Sequence, residues 1–276
     1  MIRLLGRLAA NARRLGLGGA ARYGRDGADA FFRAVRRPPL KIEVDGIEIR
    51  GFLRHRSFLA HLGGGGYETF VRSQFLAALA DADLVLDVGS HTGFYALLAS
   101  RGRPGARVIA VEPDSYNVAA LRENIRAASA PIELVAKAAS DRSGRAVFHQ
   151  NLGTVGSSLV ERRGTGPIRV VETETTTIDE IVGPGASGTI LLKLDVEGAE
   201  GLALAGAERT LRSALAATAI VELNPLALAA AGSSGPELVQ KLEQLGFDVS
   251  FLDEEQRALV APGAADRKGN LLARRV

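Results

Sequence analysis

Cysteine and tryptophan are absent from this chain of 276 residues, and methionine occurs once. Without thiols there is neither a disulfide framework nor a thiolate metal site. A cysteine-free chain suits a reducing compartment such as the cytoplasm. Aromatic residues make up only 5% of the sequence. No Pro-Pro-Tyr or similar stacking motif stands among them, since Asn224-Pro225-Leu226 lacks the second proline and the aromatic. That argues against an enzyme that stacks a flipped nucleic-acid base. No apolar run approaches the roughly 18 residues that suggest a membrane-spanning helix.

Acidic residues are scarce at the N-terminus. Residues 1–37 hold nine arginines against two aspartates, which leaves 25 basic and 29 acidic residues in the rest despite a formal net charge of +3. A nucleic-acid enzyme usually shows its basic face on the folded body; here the excess lies in the leader. Arginine interrupts every apolar stretch there, so a secretory signal is not expected. Ile2, Leu5 and Leu8, or Leu4, Leu8 and Leu15, offer a weak helical stripe. It reads either as a loosely docked helix or as an amphipathic helix making peripheral contact with anionic membranes or a partner. The expected organisation is a basic, helix-prone extension over 1–39, a strand hairpin and helix over 40–80, and a catalytic domain over 81–276.

Two glycines are missing where a dinucleotide site would need them. Leu84-Val85-Leu86 is the apolar opening of a strand buried on both faces. Asp87, Gly89 and Gly93 follow, and a helical pattern begins at Phe94, Tyr95, Leu97 and Leu98. A strand that turns into a helix around glycine aims backbone N–H groups at a ligand above the carboxyl edge of a sheet. The fingerprint G-x-G-x-x-G is met only at its first position, the chain reading Gly89, His91 and Phe94. Asp87 would repel a pyrophosphate, whereas it suits a cation. S-adenosylmethionine carries a sulfonium and an ammonium and no phosphate, so it fits this turn better than a nicotinamide cofactor.

The rest of the chain extends that pattern. Asp45-Gly46 between alternating apolar runs predicts a hairpin. Gly63-Gly64-Gly65-Gly66 reads as a loop or as a hinge that lets Tyr67 and Glu68 close over the ligand. Val71 to Leu79 predicts a helix. Arg107 to Glu112 is a second buried strand with an acid at its tip, placed to accept ribose hydroxyls. Pro113 starts a helix through Asn117. Ile132 to Val135 is a third strand, and past it Ser140 and Asp141 sit where an adenine edge could be read. Gly144 to Gln150 and Ile168 to Glu172 predict an inserted strand pair, with Gly153 to Leu159 between them as substrate loop or plain turn. Thr177 caps a short helix.

Lys193, Asp195 and Glu197 alternate at the end of another apolar strand and point to one side while the strand lasts. A lysine in so apolar a strand requires a partner. Ala219 to Glu222 again ends in an acid, so four strands finish in Asp87, Glu112, Asp195 and Glu222. A last helix over Pro236 to Leu245 and strands at Gly246 to Phe251 and Asn270 to Ala273 complete the sheet.

Taken together, Asp87-Val88-Gly89-Ser90-His91-Thr92-Gly93, Glu112-Pro113, Ser140-Asp141, Ser157-Ser158-Leu159 and Lys193-Leu194-Asp195-Val196-Glu197-Gly198-Ala199-Glu200 resemble the FkbM family of S-adenosylmethionine-dependent methyltransferases. The likeness spans roughly residues 67 to 273. It implies an α/β class I methyltransferase fold: a Rossmann-like three-layer sandwich around a seven-stranded, mostly parallel sheet of order 3-2-1-4-5-7-6 with its last strand antiparallel. It implies O-methylation of a hydroxyl on a sugar or natural product. His91 departs from the asparagine usual in the family.

The expected donor-binding residues are Asp87, Gly89, Ser90, His91, Gly93, Glu112, Asn117, Ser140 and Asp141. Asp195 is the expected base or orienting group for the acceptor hydroxyl, with Glu197 and Glu222 behind it. Asp195 and Glu222 could also share a divalent cation with water, although no metal ligand set is assigned. His55 and His61 read as loop or surface residues. The expected acceptor is a small molecule or glycan rather than nucleic acid. A non-catalytic donor-binding module is the reading from a different class.

Overall fold

Asp45 and Gly46 both take positive φ, 52° and 73°, as a primed two-residue turn requires. They join β1 (Leu40–Val44) to β2 (Ile47–Gly51) as the expected antiparallel hairpin. The computed structural model describes residues 40–151, 156–161, 168–185, 187–264 and 267–275. The leader 1–39 and Gly153 to Val155 lie outside the described residues. After the hairpin come a single 3-10 turn at Leu53–His55, α1 (Arg56–Gly63) and, across the glycine run, α2 (Thr69–Leu79).

The central sheet then builds by strand–helix alternation: β3 (Leu84–Val88), α3 (Phe94–Gly102), β4 (Arg107–Val111), α4 (Ser115–Ala128) and β5 (Ile132–Val135). An insertion follows, made of β6 (Ala138–Ala139), β7 (Gly144–Asn151) and β8 (Ile168–Thr176), which form their own three-stranded sheet. The chain returns through α5 (Ile178–Val182), whose cap Thr177 accepts the Glu180 N–H at 3.0 Å. It continues with β9 (Thr189–Leu194), α6 (Glu200–Ala205), α7 (Glu208–Ser213) and β10 (Ala216–Leu223). The final elements are α8 (Pro225–Ala230), α9 (Gly235–Gln244), β11 (Asp248–Asp253), β12 (Ala258–Val260) and β13 (Gly269–Arg275).

The sheet has eight strands rather than seven, in the order β12-β11-β13-β10-β9-β3-β4-β5. β3, β4, β5, β9 and β10 are mutually parallel. β13 is antiparallel to both of its neighbours. The additional strand is β12, which folds back on β11 after a reversal in which Arg257 takes φ 50°.

Side-chain alternation divides the core between the two faces of this sheet. Leu86, Val88, Ile109, Leu192, Leu194 and Val221 pack under α5, α6, α7 and α9. Val85, Ala110, Leu191, Ile220 and Leu272 face α2 and α3, together with Ile47, Ile49, Leu59 and Leu62 of the preceding segment. Asp87, Glu112, Lys193, Glu222 and Asn270 are in register with this second set. One parity rule therefore sends these five polar residues to the same side. Among the described residues no helix is long and apolar enough to cross a membrane.

Candidate functional site

The turn after β3 is held open by its own residues. Gly89 lies at φ 84°, and a Cβ there would stand 1.8 Å from the carbonyl oxygen of Asp195. No other residue type fits that approach. Asp87 is buried, and its Oδ2 accepts the Ala96 N–H at 3.0 Å, anchoring the first turn of α3. Burial pushes its carboxyl up to about 6 against the opposing pull of Lys193. Lys193 is its register partner on β9. The Ser90 hydroxyl donates to the Asp87 carbonyl at 2.5 Å. His91 sits at φ 52°, a left-handed position. Its ring meets Phe58 at 4.3 Å and His55 at 5.3 Å, edge-on. Its Nδ1 is buried with no partner. Burial holds the ring well below the usual imidazole range.

Glu112 follows β4 and is buried. Its carboxylate accepts the N–H groups of His91 and Asp114, each at 2.8 Å, and is hydrogen-bonded by Asn117. Burial first, then the neighbouring Asp114, push it up to about 8. Asn117 in turn receives His55: Nε2 lies 3.1 Å from Asn117 Oδ1. His55 is therefore not a surface residue. It is buried, its Nδ1 accepts the Phe52 N–H at 2.9 Å, and burial lowers it to about 4. Its neighbour Arg54 pairs with Asp114 at 3.8 Å and lies over the Tyr116 ring at 4.1 Å. Sequence reading missed both, because nothing in a short polar run between hairpin and helix marks a buried anchor.

Across the cavity the carboxylates meet one another. Lys193 Nζ lies 3.4 Å from Asp195 Oδ2 and 5.5 Å from the Tyr95 ring centre. Burial disfavours its charge. The carboxylates of Asp195, Glu68, Glu222 and Asp87 outweigh that and hold it above the usual lysine range. Glu222 Oε1 pairs with Lys268 at 3.3 Å, while its Oε2 is buried without a hydrogen-bond partner. Burial, then Asp195 and Glu197, push Glu222 well above the usual carboxylate range. The strand alternation ends at Leu194, so Glu197 arrives by a left-handed turn at φ 57° instead. Glu200 braces that turn by accepting the N–H groups of Gly198 and Val196. Oxygens of Asp195, Glu197 and Glu222 lie within 4.8 Å of one another. Tyr67 faces these acids; burial, then the charge of its neighbour Glu68 and those of Asp195, Glu222 and Glu197, raise its phenol well above the usual range. Glu68 does not reach the cavity wall; it accepts the Tyr95 hydroxyl at 2.6 Å.

These groups share one cavity of about 560 Å³, within the size range of small-molecule sites. Asp87, Gly89, Ser90, His91, Glu112, Asn117, Asp195, Glu197 and Glu222 all line it, with Phe58, His61, Tyr67, Tyr95 and Lys268 completing the wall. Gly93 does not line it. That glycine caps α3 at φ 90°, packed so closely on Leu121 that a Cβ would lie 2.3 Å from its Cδ1. Ser140 and Asp141, expected at an adenine edge, lie just beyond the lining residues Ala138 and Ala139. The two-residue β6 turns Ala138 and Ala139 toward the cavity. Ser140 then bonds back to the Thr176 carbonyl and lies against Gly206, leaving Asp141 to face Arg142 at 3.8 Å. The described part of the inserted loop does reach the site: Ser157 donates to Asp114 at 2.8 Å and Ser158 to the Glu197 carbonyl at 2.8 Å. Lys268 and Asn270 had no motif to announce them.

Residues 87–249 match the family model of the methyltransferase FkbM domain. A search of curated proteins gave no match. Among solved structures, the chain is similar to a methyltransferase FkbM from Methylobacillus flagellatus KT, at 18% identity and TM-score 0.43, over 70% of this chain and 44% of that one. It is also similar to precorrin-6y C5,15-methyltransferase from Geobacter metallireducens GS-15, at 14% identity and TM-score 0.41, over 75% and 87%. A third is the Pyrococcus abyssi tRNA (uracil-54, C5)-methyltransferase in complex with S-adenosyl-L-homocysteine, at 13% identity and TM-score 0.44, over 86% and 44%. The chain thus spans less than half the length of the first and third of these proteins.

Proposed function

The chain belongs to the FkbM family of S-adenosylmethionine-dependent methyltransferases, and from that premise we propose that it methylates a hydroxyl of a sugar or natural product. When bound, the donor supplies a methyl group already activated by a sulfonium. Asp87, Gly89, Ser90, His91, Glu112 and Asn117 would hold it, and the carboxylates around the cavity suit its positive charge.

One observation carries the acceptor assignment. The Asp195 side chain is 30% exposed in the cavity wall, whereas those of Lys193 and Glu222 are 2% and 8% exposed. Glu197 is partly exposed as well, but Asp195 is the one of the two that Lys193 holds in place, which supports it as the carboxylate that meets an incoming hydroxyl. It aligns the acceptor oxygen and takes its proton, while Glu197 and Glu222 keep the surroundings acidic. Three acids here would repel a nucleic-acid phosphate, which supports a small-molecule or glycan acceptor. One hard cation could also bridge them. Lys193 and Lys268 already lie against two of the three acids, and no step is routed through a metal.

The test is labelled-methyl transfer to a panel of glycan and natural-product hydroxyls, with calorimetry of S-adenosylhomocysteine and of NAD alongside. Asp195→Asn should lower kcat by about 10²- to 10⁴-fold and leave S-adenosylhomocysteine affinity unchanged. Normal turnover by that variant removes Asp195 as the base. Tight binding of NAD but not of S-adenosylhomocysteine removes the donor assignment.

A further inference from the structure

Behind the donor half of the cavity the segment before the central sheet sets Phe58 against the His91 ring, Arg54 against Asp114, and His55 against Asn117. The His55 contact is the one that reaches a partner of Glu112's carboxyl by a directed hydrogen bond. The His55 Nδ1 accepts the Phe52 N–H at 2.9 Å, so the neutral ring carries its proton on Nε2. Nε2 therefore donates to Asn117 Oδ1 at 3.1 Å. A carboxamide can face either way, but with its oxygen taken by His55 only its NH₂ remains for Glu112. Turned over, Asn117 would set its oxygen against a buried Glu112 carboxyl whose two oxygens already accept the His91 and Asp114 N–H groups, with no N–H of its own to offer. The other groups around Glu112 are the His91 N–H from the turn after β3, and Asp114, which pairs with Arg54 at 3.8 Å.

We propose that His55 is a positioning residue for the donor's ribose: by donating to Asn117 it fixes that amide toward Glu112 and keeps the Glu112 carboxylate aimed at the ribose hydroxyls. This rests on the reading of Glu112 as the ribose acceptor. It gives the 40–80 segment a role in donor recognition beyond its share of the core. His55 touches no reacting atom and acts through two other side chains.

The variants that separate positioning from packing are His55→Asn and His55→Gln. Asparagine can still accept the Phe52 N–H but cannot reach Asn117; the longer glutamine places an amide donor where Nε2 stood. Full-length wild type, H55N, H55Q and Glu112→Gln are titrated calorimetrically with S-adenosylhomocysteine and with its 2′,3′-dideoxyribose analogue. H55N should lose about tenfold in affinity for S-adenosylhomocysteine, equivalent to about 1.4 kcal/mol, and less than about twofold for the analogue. H55Q should stay within about threefold of wild type on both. Equal losses on both ligands, no loss on either, or an H55Q as weak as H55N overturns the proposal. E112Q should bring S-adenosylhomocysteine down to the analogue's affinity. If E112Q still discriminates between the two ligands, the ribose reading of Glu112 falls, and with it the role given to His55.

Discussion

On the β3–β4 side of the cavity each carboxylate is tied to N–H groups: Asp87 to Ala96, and Glu112 to His91, Asp114 and Asn117. On the β9–β10 side Asp195, Glu197 and Glu222 crowd together, and the nearest counterweights are the ammonium groups of Lys193 and Lys268. The first side is fixed by hydrogen-bond direction, which leaves little freedom to a bound donor. The second is fixed by charge balance, which is less directional and leaves one carboxylate oxygen of Glu222 unpaired. A site that must hold one ligand in a set pose and also move a proton gains from that division.

The largest effect should come where the two sides touch. Gly89→Ala would drive a methyl group into the Asp195 carbonyl at 1.8 Å, from a left-handed φ. The expected cost is about 4 kcal/mol or more in chemical denaturation, with donor binding abolished. A loss under about 1 kcal/mol would show the contact to be slack.

Lys193→Met should cost about 3 kcal/mol, because it leaves Asp87 and Asp195 without their shared cation. Turnover should suffer more than S-adenosylhomocysteine affinity. The reverse order would erase the distinction between the two sides.

A smaller effect tests the hydrogen-bonded side by pH. Glu112 is pushed up to about 8 in the free protein, so below that pH it holds a proton that ribose binding must release. S-adenosylhomocysteine affinity should rise about tenfold per pH unit up to about 8 and then level off, and E112Q should abolish this slope. The sign for folding is opposite. The native carboxyl binds its proton more tightly than the unfolded one, so its contribution to stability declines as pH climbs from the ordinary carboxylate range to about 8.

The smallest effect concerns a residue outside both sides. Asp141→Ala should change donor affinity by less than about twofold, since Asp141 faces Arg142 rather than the cavity. A tenfold loss would return it to the donor site.

Local rules made much of this molecule legible. Asp-Gly between alternating residues specified the hairpin. An apolar run ending in Asp87 and glycine specified the turn into α3, and the polar residue closing each apolar strand marked the cavity's edge. The placement of Ser140 and Asp141 was not legible, because the direction of a loop after a two-residue strand depends on what it packs against, here Thr176 and Gly206. β12 escaped notice because three residues carry too short an alternation to register. His55 escaped because its burial comes from the hairpin and α4 closing around it.

The sequence alone determined which residues share a face, since strand parity and glycine turns are properties of consecutive positions. It therefore set the family, the sheet edge and the acids that crown it. Only the tertiary structure decided which acids are held by N–H groups and which by lysines. Those partners come from strands and helices far apart in the chain, and a carboxylate's charge depends on its burial and its neighbours rather than on its place in the sequence.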